Sequence, residues 1–177
     1  MIQPVFLVGA RGCGKTTIGR ALAETLGYSF ADTDSHLLTS TGKSVAEIVS
    51  TEGWSGFRTR ESLALKQVTA ASTVVATGGG MILSESNRQF MAERGVAIWL
   101  NVPADILAAR LDASPEEAQR PTLTGKSVID EIVDVLAARE ELYRQTARHI
   151  IDATRSPDRV VESVIRVLQM SDVNSAI

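Results

Sequence analysis

Nine residues near the N-terminus constrain this chain more than any others: Gly9-Ala10-Arg11-Gly12-Cys13-Gly14-Lys15-Thr16-Thr17. They follow the apolar run Val5-Phe6-Leu7-Val8 and lead into a helical repeat marked by Ile18, Leu22 and Leu26. A G-x-x-x-x-G-K-T pattern between an expected strand and an expected helix is the setting in which it forms a phosphate-binding loop. Glycines let successive backbone amides curl around phosphate oxygens, and the helix start adds partial positive charge. Gly12, Cys13, Gly14, Lys15, Thr16 and Thr17 are therefore the expected nucleotide contacts, with Lys15 offering a point charge to the β- and γ-phosphates and Thr16 a hydroxyl to Mg²⁺. An ordinary glycine-rich turn would not need Lys-Thr at this offset.

At 177 residues the chain accommodates one α/β domain with a sizeable core and is short for two. A formal net charge of −3 and the lack of a basic tract argue against a nucleic-acid partner. No apolar run approaches the roughly 20 residues that span a bilayer, and the N-terminus lacks a secretory signature. No membrane partner and a cytoplasmic location are expected. The single cysteine, Cys13, excludes an intrachain disulfide and a cysteine-only zinc site. It reads as a small packing residue of the loop rather than a catalytic thiol.

Five strand-like runs, at 5–8, 28–32, 73–76, 96–102 and 149–152, alternate with helical patterns. That alternation predicts an α/β fold, a parallel sheet covered by helices on both faces, with ligands at the C-terminal strand edge. Asp32 and Asp34 end the second strand there. One suits a metal held through water and the other a substrate hydroxyl; N-capping by Asp34 is the structural alternative. Residues 34–72 are expected to be helical with breaks at Gly42 and around Gly53 and Gly56, and Ser44 to Glu47 forms a capping box. Within this stretch Arg58 and Glu61 share a helix face, either as a surface ion pair or with Arg58 free to meet an anion.

Gly78, Gly79 and Gly80 directly follow the third strand, where three glycines cost conformational entropy. They imply backbone pressed against a ligand, or a hinge. No aspartate closes this strand as in a common phosphate-loop ATPase, which leaves Asp32 for the metal. Residues 112–126 lack a core-forming pattern and read as a mobile lid carrying Arg120, a charge for transferring phosphate or a solvated loop residue. Arg139 falls near the inward face of a helix over 127–146, where it needs an anionic partner from the protein or from a ligand. The final residues, 171–177, are expected to fray.

Together, the loop with Arg11 and Cys13, Asp32-Thr33-Asp34, Gly56-Phe57-Arg58-x-x-Glu61, Ala76-Thr77-Gly78-Gly79-Gly80, Arg120-Pro121-Thr122-Leu123 and Arg139-x-x-x-Tyr143 resemble the shikimate kinases. The loop variant is closer to the enterobacterial second isoenzyme than to the first. The resemblance implies a P-loop, nucleoside-monophosphate-kinase-like three-layer fold over residues 1–177. It also implies a substrate-binding segment at about 34–61, a lid at about 112–126 and a monomer.

It implies transfer of the ATP γ-phosphoryl group to the 3-hydroxyl of shikimate with Mg²⁺. On that resemblance Lys15, Asp34 and Arg120 are catalytic, Thr16 and Asp32 hold the metal, and Arg110, Arg120 and Arg155 join the loop in binding nucleotide. Asp34, Arg58, Glu61, Gly78, Gly79, Gly80 and Arg139 would bind shikimate. A gluconate-type kinase and a nucleotide-binding regulatory module without transfer are the rivals. The triple glycine and Arg120-Pro121 weigh against the first, and the presence of Asp34 with the lid arginine weighs against the second.

Overall fold

The computed structural model describes residues 2–113 and 127–175; Arg120 and nearly all of the expected lid lie outside them. Strands β1 (Val5–Val8), β2 (Ser29–Asp32), β3 (Thr73–Ala76), β4 (Val96–Asn101) and β5 (His149–Asp152) form one parallel sheet in the order β2-β3-β1-β4-β5. The central strand is therefore the one that feeds the glycine-rich loop. β1 is buried at every position, whereas the outer strands β2 and β5 are only partly covered. This is what separates a continuous apolar run from a mixed one in a sheet flanked on both faces.

Because side chains alternate across a strand, β1 divides its residues between two cores. Val5 and Leu7 pack with Ile18 and Leu22 of α1 (Lys15–Leu26), Leu107 of α5 (Ala104–Ala113), and Val160 and Val164 of α7 (Pro157–Ser175). Phe6 and Val8 face the opposite layer, with Leu65, Met91 of α4 (Glu85–Arg94) and Tyr143 of α6 (Val128–Thr146). Helices, sheet and helices make the expected three layers. The expected fraying at the C-terminal end does not hold through Ser175, since α7 continues there. Ser171 is tied to β5 by a 2.8 Å hydrogen bond with the His149 ring.

A third, smaller core belongs to an arm beside the sheet. Leu37 of α2 (Thr33–Thr41) meets Ile48, Phe57 and Ala64 of α3 (Val45–Val68). Ser44 and Glu47 make both hydrogen bonds of the capping box, a device worth about 1 kcal/mol at a helix start. Gly53 breaks the helical path at φ 73°, ψ 176°, a left-handed conformation that a Cβ would resist. The bend turns the Arg58 half of α3 away from the Ile48 half. Gly56, in contrast, stays within the helix.

Candidate active site

All five strands run the same way, so the segments after β1, β2, β3 and β5 meet at one edge. They line a cleft of about 830 Å³ that includes Lys15, Thr16, Asp32, Asp34, Gly79 and Arg155. The loop after β1 uses left-handed or otherwise positive φ at Gly9, Gly12 and Gly14, and the Cys13 amide donates to the Ala10 carbonyl at 3.1 Å to close its turn. Cys13 is buried in the core below, as its packing role requires. α1 then starts with no side-chain cap and no acidic residue in its first turn, leaving the positive end of its dipole to an anion. Lys15 Nζ bends back onto the Gly9 and Ala10 carbonyls at 2.6 and 3.1 Å, so its charge already sits over the loop.

Asp32 joins this loop to the arm. One carboxylate oxygen accepts from the Asp34 and Ser35 amides at 2.9 and 3.1 Å and caps α2. The other accepts from the Thr16 hydroxyl at 2.8 Å. The cap, which the sequence offered to Asp34 only as the alternative to a functional role, belongs to Asp32, because the residue preceding the first helical turn is the one whose side chain reaches the free amides. Thr16 and Asp32 offer oxygen donors only, which fits a hard cation such as Mg²⁺. Among the described residues no group of three or more His, Cys, Asp or Glu is placed for a metal. Mg²⁺ characteristically uses one or two carboxylates together with substrate phosphates, so the donor set is of the right kind and size.

Beyond Asp34 the triple glycine makes a turn crowded by charged side chains. A Cβ on Gly78 would lie 2.5 Å from Glu61 Oε2 and 3.5 Å from Asp34 Oδ1, and one on Gly80 would collide with the Arg58 guanidinium. On Gly79 it would sit 3.6 Å from Arg139 Nη1. The charged ends of Glu61 and Arg58 thus crowd Gly78 and Gly80, whereas a Cβ on Gly79 would make only ordinary contact.

Arg58 donates to Glu61 at 2.8 Å, with side-chain exposures of 26% and 1%. This is the expected i, i+3 pair, but its acid is buried rather than at the surface. The guanidinium also rests 5.3 Å from the ring centres of Trp54 and of Phe57. Arg139 makes no ion pair with a carboxylate among the described residues, so no described internal acid is its counter-ion. Arg110 binds the Gly12 carbonyl at 3.3 Å and the Ala153 carbonyl at 2.8 Å, bridging the phosphate loop to the segment after β5. Arg155 lines the same end and bonds Ser163 at 2.6 Å.

Two residues at this edge, Thr77 and Tyr143, stood in the quoted motifs without a role of their own. The Thr77 hydroxyl donates to the Leu7 carbonyl at 2.8 Å and fixes the start of the glycine turn to β1. The Tyr143 hydroxyl donates to the Gly79 carbonyl at 2.6 Å. Its spacing of four from Arg139 was a usable signal, since both residues then lie on one helix face.

A phosphate loop on the central strand, with oxygen donors and a helical arm over the same edge, defines a P-loop phosphotransferase of the nucleoside-monophosphate-kinase-like fold. The family model described as Shikimate kinase matches residues 11–169. The chain belongs to the shikimate kinase family, whose members use ATP and Mg²⁺. It is 58% identical to a protein named shikimate kinase 2 from Sodalis glossinidius (strain morsitans), over 97% of this chain and 98% of the relative. It also matches the structure of a shikimate kinase from Acinetobacter baumannii in complex with shikimate, at 33% identity and a TM-score of 0.89, covering 97% of this chain and 95% of that one. A gluconokinase from Sinorhizobium meliloti 1021 shares the fold alone, at 19% identity and a TM-score of 0.63, with 98% and 95% coverage.

Proposed function

We propose that this kinase transfers the γ-phosphoryl group of ATP to the 3-hydroxyl of shikimate, giving shikimate 3-phosphate and ADP on the route to chorismate and the aromatic amino acids. The observation that carries this reading is the shared cleft, in which Lys15 and Thr16 on the phosphate side face the same space as Asp34 and Gly79. The amides of Gly12 to Thr17 cradle phosphates, and Lys15 leaves its carbonyl partners to meet them. Thr16 and Asp32 would hold the metal, and Mg²⁺ bound there would supply charge neutralisation for the phosphates.

Asp34 accepts the proton of the attacking hydroxyl. Arg58, held by Glu61, and Arg139 grip the substrate carboxylate from two sides, where the guanidinium fork suits a planar anion. Gly78, Gly79 and Gly80 shape the floor between them. Arg110 and Arg155 close the nucleotide end, and Arg120 brings a further positive charge to the phosphates from the lid. A loose phosphoryl transition state asks for alignment and neutralised charge more than for a strong base. Monomeric action in the cytoplasm is part of the same reading; among the described residues no helix is long and apolar enough to cross a membrane.

A coupled ADP-release assay with ATP and Mg²⁺ tests it. Turnover is expected with shikimate and not with gluconate. Release that responds to gluconate, or that ignores every hydroxy acid, would instead favour the gluconate kinase or the regulatory module. Arg139→Ala is expected to raise the shikimate KM by about 10- to 100-fold, the equivalent of the ~1.5–3 kcal/mol carried by hydrogen bonds to a charged group. Its KM for ATP should stay near the wild-type value, and an unchanged shikimate KM would remove Arg139 from the carboxylate.

A further inference from the structure

The turn that follows β3 is secured carbonyl by carbonyl. The Gly78 oxygen accepts from the Met81 amide at 3.0 Å and the Gly80 oxygen from the Leu83 amide at 3.1 Å. The oxygen between them, on Gly79, accepts instead from a side chain, the Tyr143 hydroxyl at 2.6 Å. Tyr143 is 1% exposed, and its ring stacks on Trp99 of β4 at a centroid distance of 5.7 Å and an interplanar angle of 22°. Burial pushes its hydroxyl pKa up to about 12, against the opposing pull of Arg139. The group is a proton donor throughout the range in which the protein works.

A peptide between two glycines is the easiest of all to turn over, since neither neighbour carries a Cβ to resist new φ and ψ values. Such a unit is planar and trans, so its carbonyl and the following N–H point in opposite directions. A hydroxyl that holds the Gly79 carbonyl toward the Trp99 layer therefore holds the Gly80 N–H toward the opposite face. We propose that Tyr143 is a positioning residue for the hydroxy-acid site: it locks the Gly79–Gly80 peptide in one orientation and so presents the Gly80 N–H to the acid beside Arg58 and Arg139. Arg139 and Tyr143 stand one helical turn apart on α6, so one helix delivers both a cation and the lock to the same turn. This inference rests on the shikimate reading of the site.

The test is Tyr143→Phe, which keeps the ring and deletes the donor. With wild-type turnover of shikimate measured first, the variant should raise the shikimate KM about tenfold while kcat and the KM for ATP stay within about twofold. Tenfold corresponds to 1.4 kcal/mol, the scale of a buried hydrogen bond lost with its acceptor left unpaired. An unchanged shikimate KM, whatever the melting temperature does, would overturn the inference, as would an equal rise in the KM for ATP. Absence of wild-type turnover would instead overturn the reading of the site.

Glycine-selective ¹⁵N labelling of the wild-type protein gives an arm that does not depend on the variant folding. The Gly80 amide should give one sharp resonance in the free protein and shift on adding shikimate. A Gly80 signal broadened by microsecond-to-millisecond exchange with Tyr143 in place would mean that the peptide turns over freely, and the proposal would fail.

Discussion

Lys15→Ala is expected to lower kcat by about 10²- to 10³-fold, the range seen when one preorganised donor to developing charge is removed. In the structure Lys15 Nζ rests on the Gly9 and Ala10 carbonyls. A cation parked on two neutral carbonyls is poorly neutralised and gains when phosphate oxygens arrive. The same contacts predict a mild structural effect, because both carbonyls are on a loop bordering the cleft, where water can replace the ammonium. Turnover should collapse while the melting temperature moves by only a few degrees. Single-turnover measurements at saturating ATP and shikimate separate the transfer step from binding. A rate within tenfold of wild type would show that the amides of the loop carry the charge unaided.

Asp34→Asn should cost about 10²- to 10⁴-fold in kcat, the usual contribution of a positioned proton acceptor. The structure keeps this substitution apart from the side-chain cap of α2. Asp32 caps α2, and Asp34 takes part in that cap only through its backbone amide. Exchange of one carboxylate oxygen for an amide nitrogen leaves the cap, the Thr16 contact and the arm in place. If kcat fell less than tenfold, alignment and charge would be sufficient on their own, and Asp34 would be an orienting group rather than an acceptor of the proton. The corresponding substitution at Asp32 would be uninterpretable, because it removes a helix cap and a metal candidate together.

The chain's own pattern revealed most of this architecture. Val5 to Val8 and Val96 to Leu100 are buried without interruption, and only a strand covered on both faces needs such a run. β5 falls on its expected bounds, while β2 starts one residue later than expected and β4 ends one residue earlier, each at a strand end. The phosphate loop was legible because its glycines and Lys-Thr are fixed by local geometry. Residues acting across long sequence separations were harder to read. Which of Asp32 and Asp34 caps α2 depends on where the strand ends, a difference of two residues that composition does not encode.

The crowding at Gly78 and Gly80 was likewise invisible, since it comes from side chains of α3 that only the tertiary fold brings to the turn. Glu61 shows the same limit. Its spacing from Arg58 announced an ion pair, but not that one partner would be fully buried. Arg120 and the lid fall outside the described residues, so their proposed role still rests on the pattern of the sequence.

Asp32 holds the phosphate loop and the arm with a single carboxylate, and this determines which parts of the molecule are free to vary. The beginning of α2 is pinned to Thr16, whereas its far end stops at Gly42 and leads into an exposed connection. Redesign for bulkier or smaller acceptors should therefore work outward from that distal end. The datum from which donor and acceptor are measured would remain where it is, however the rim of the arm is rebuilt.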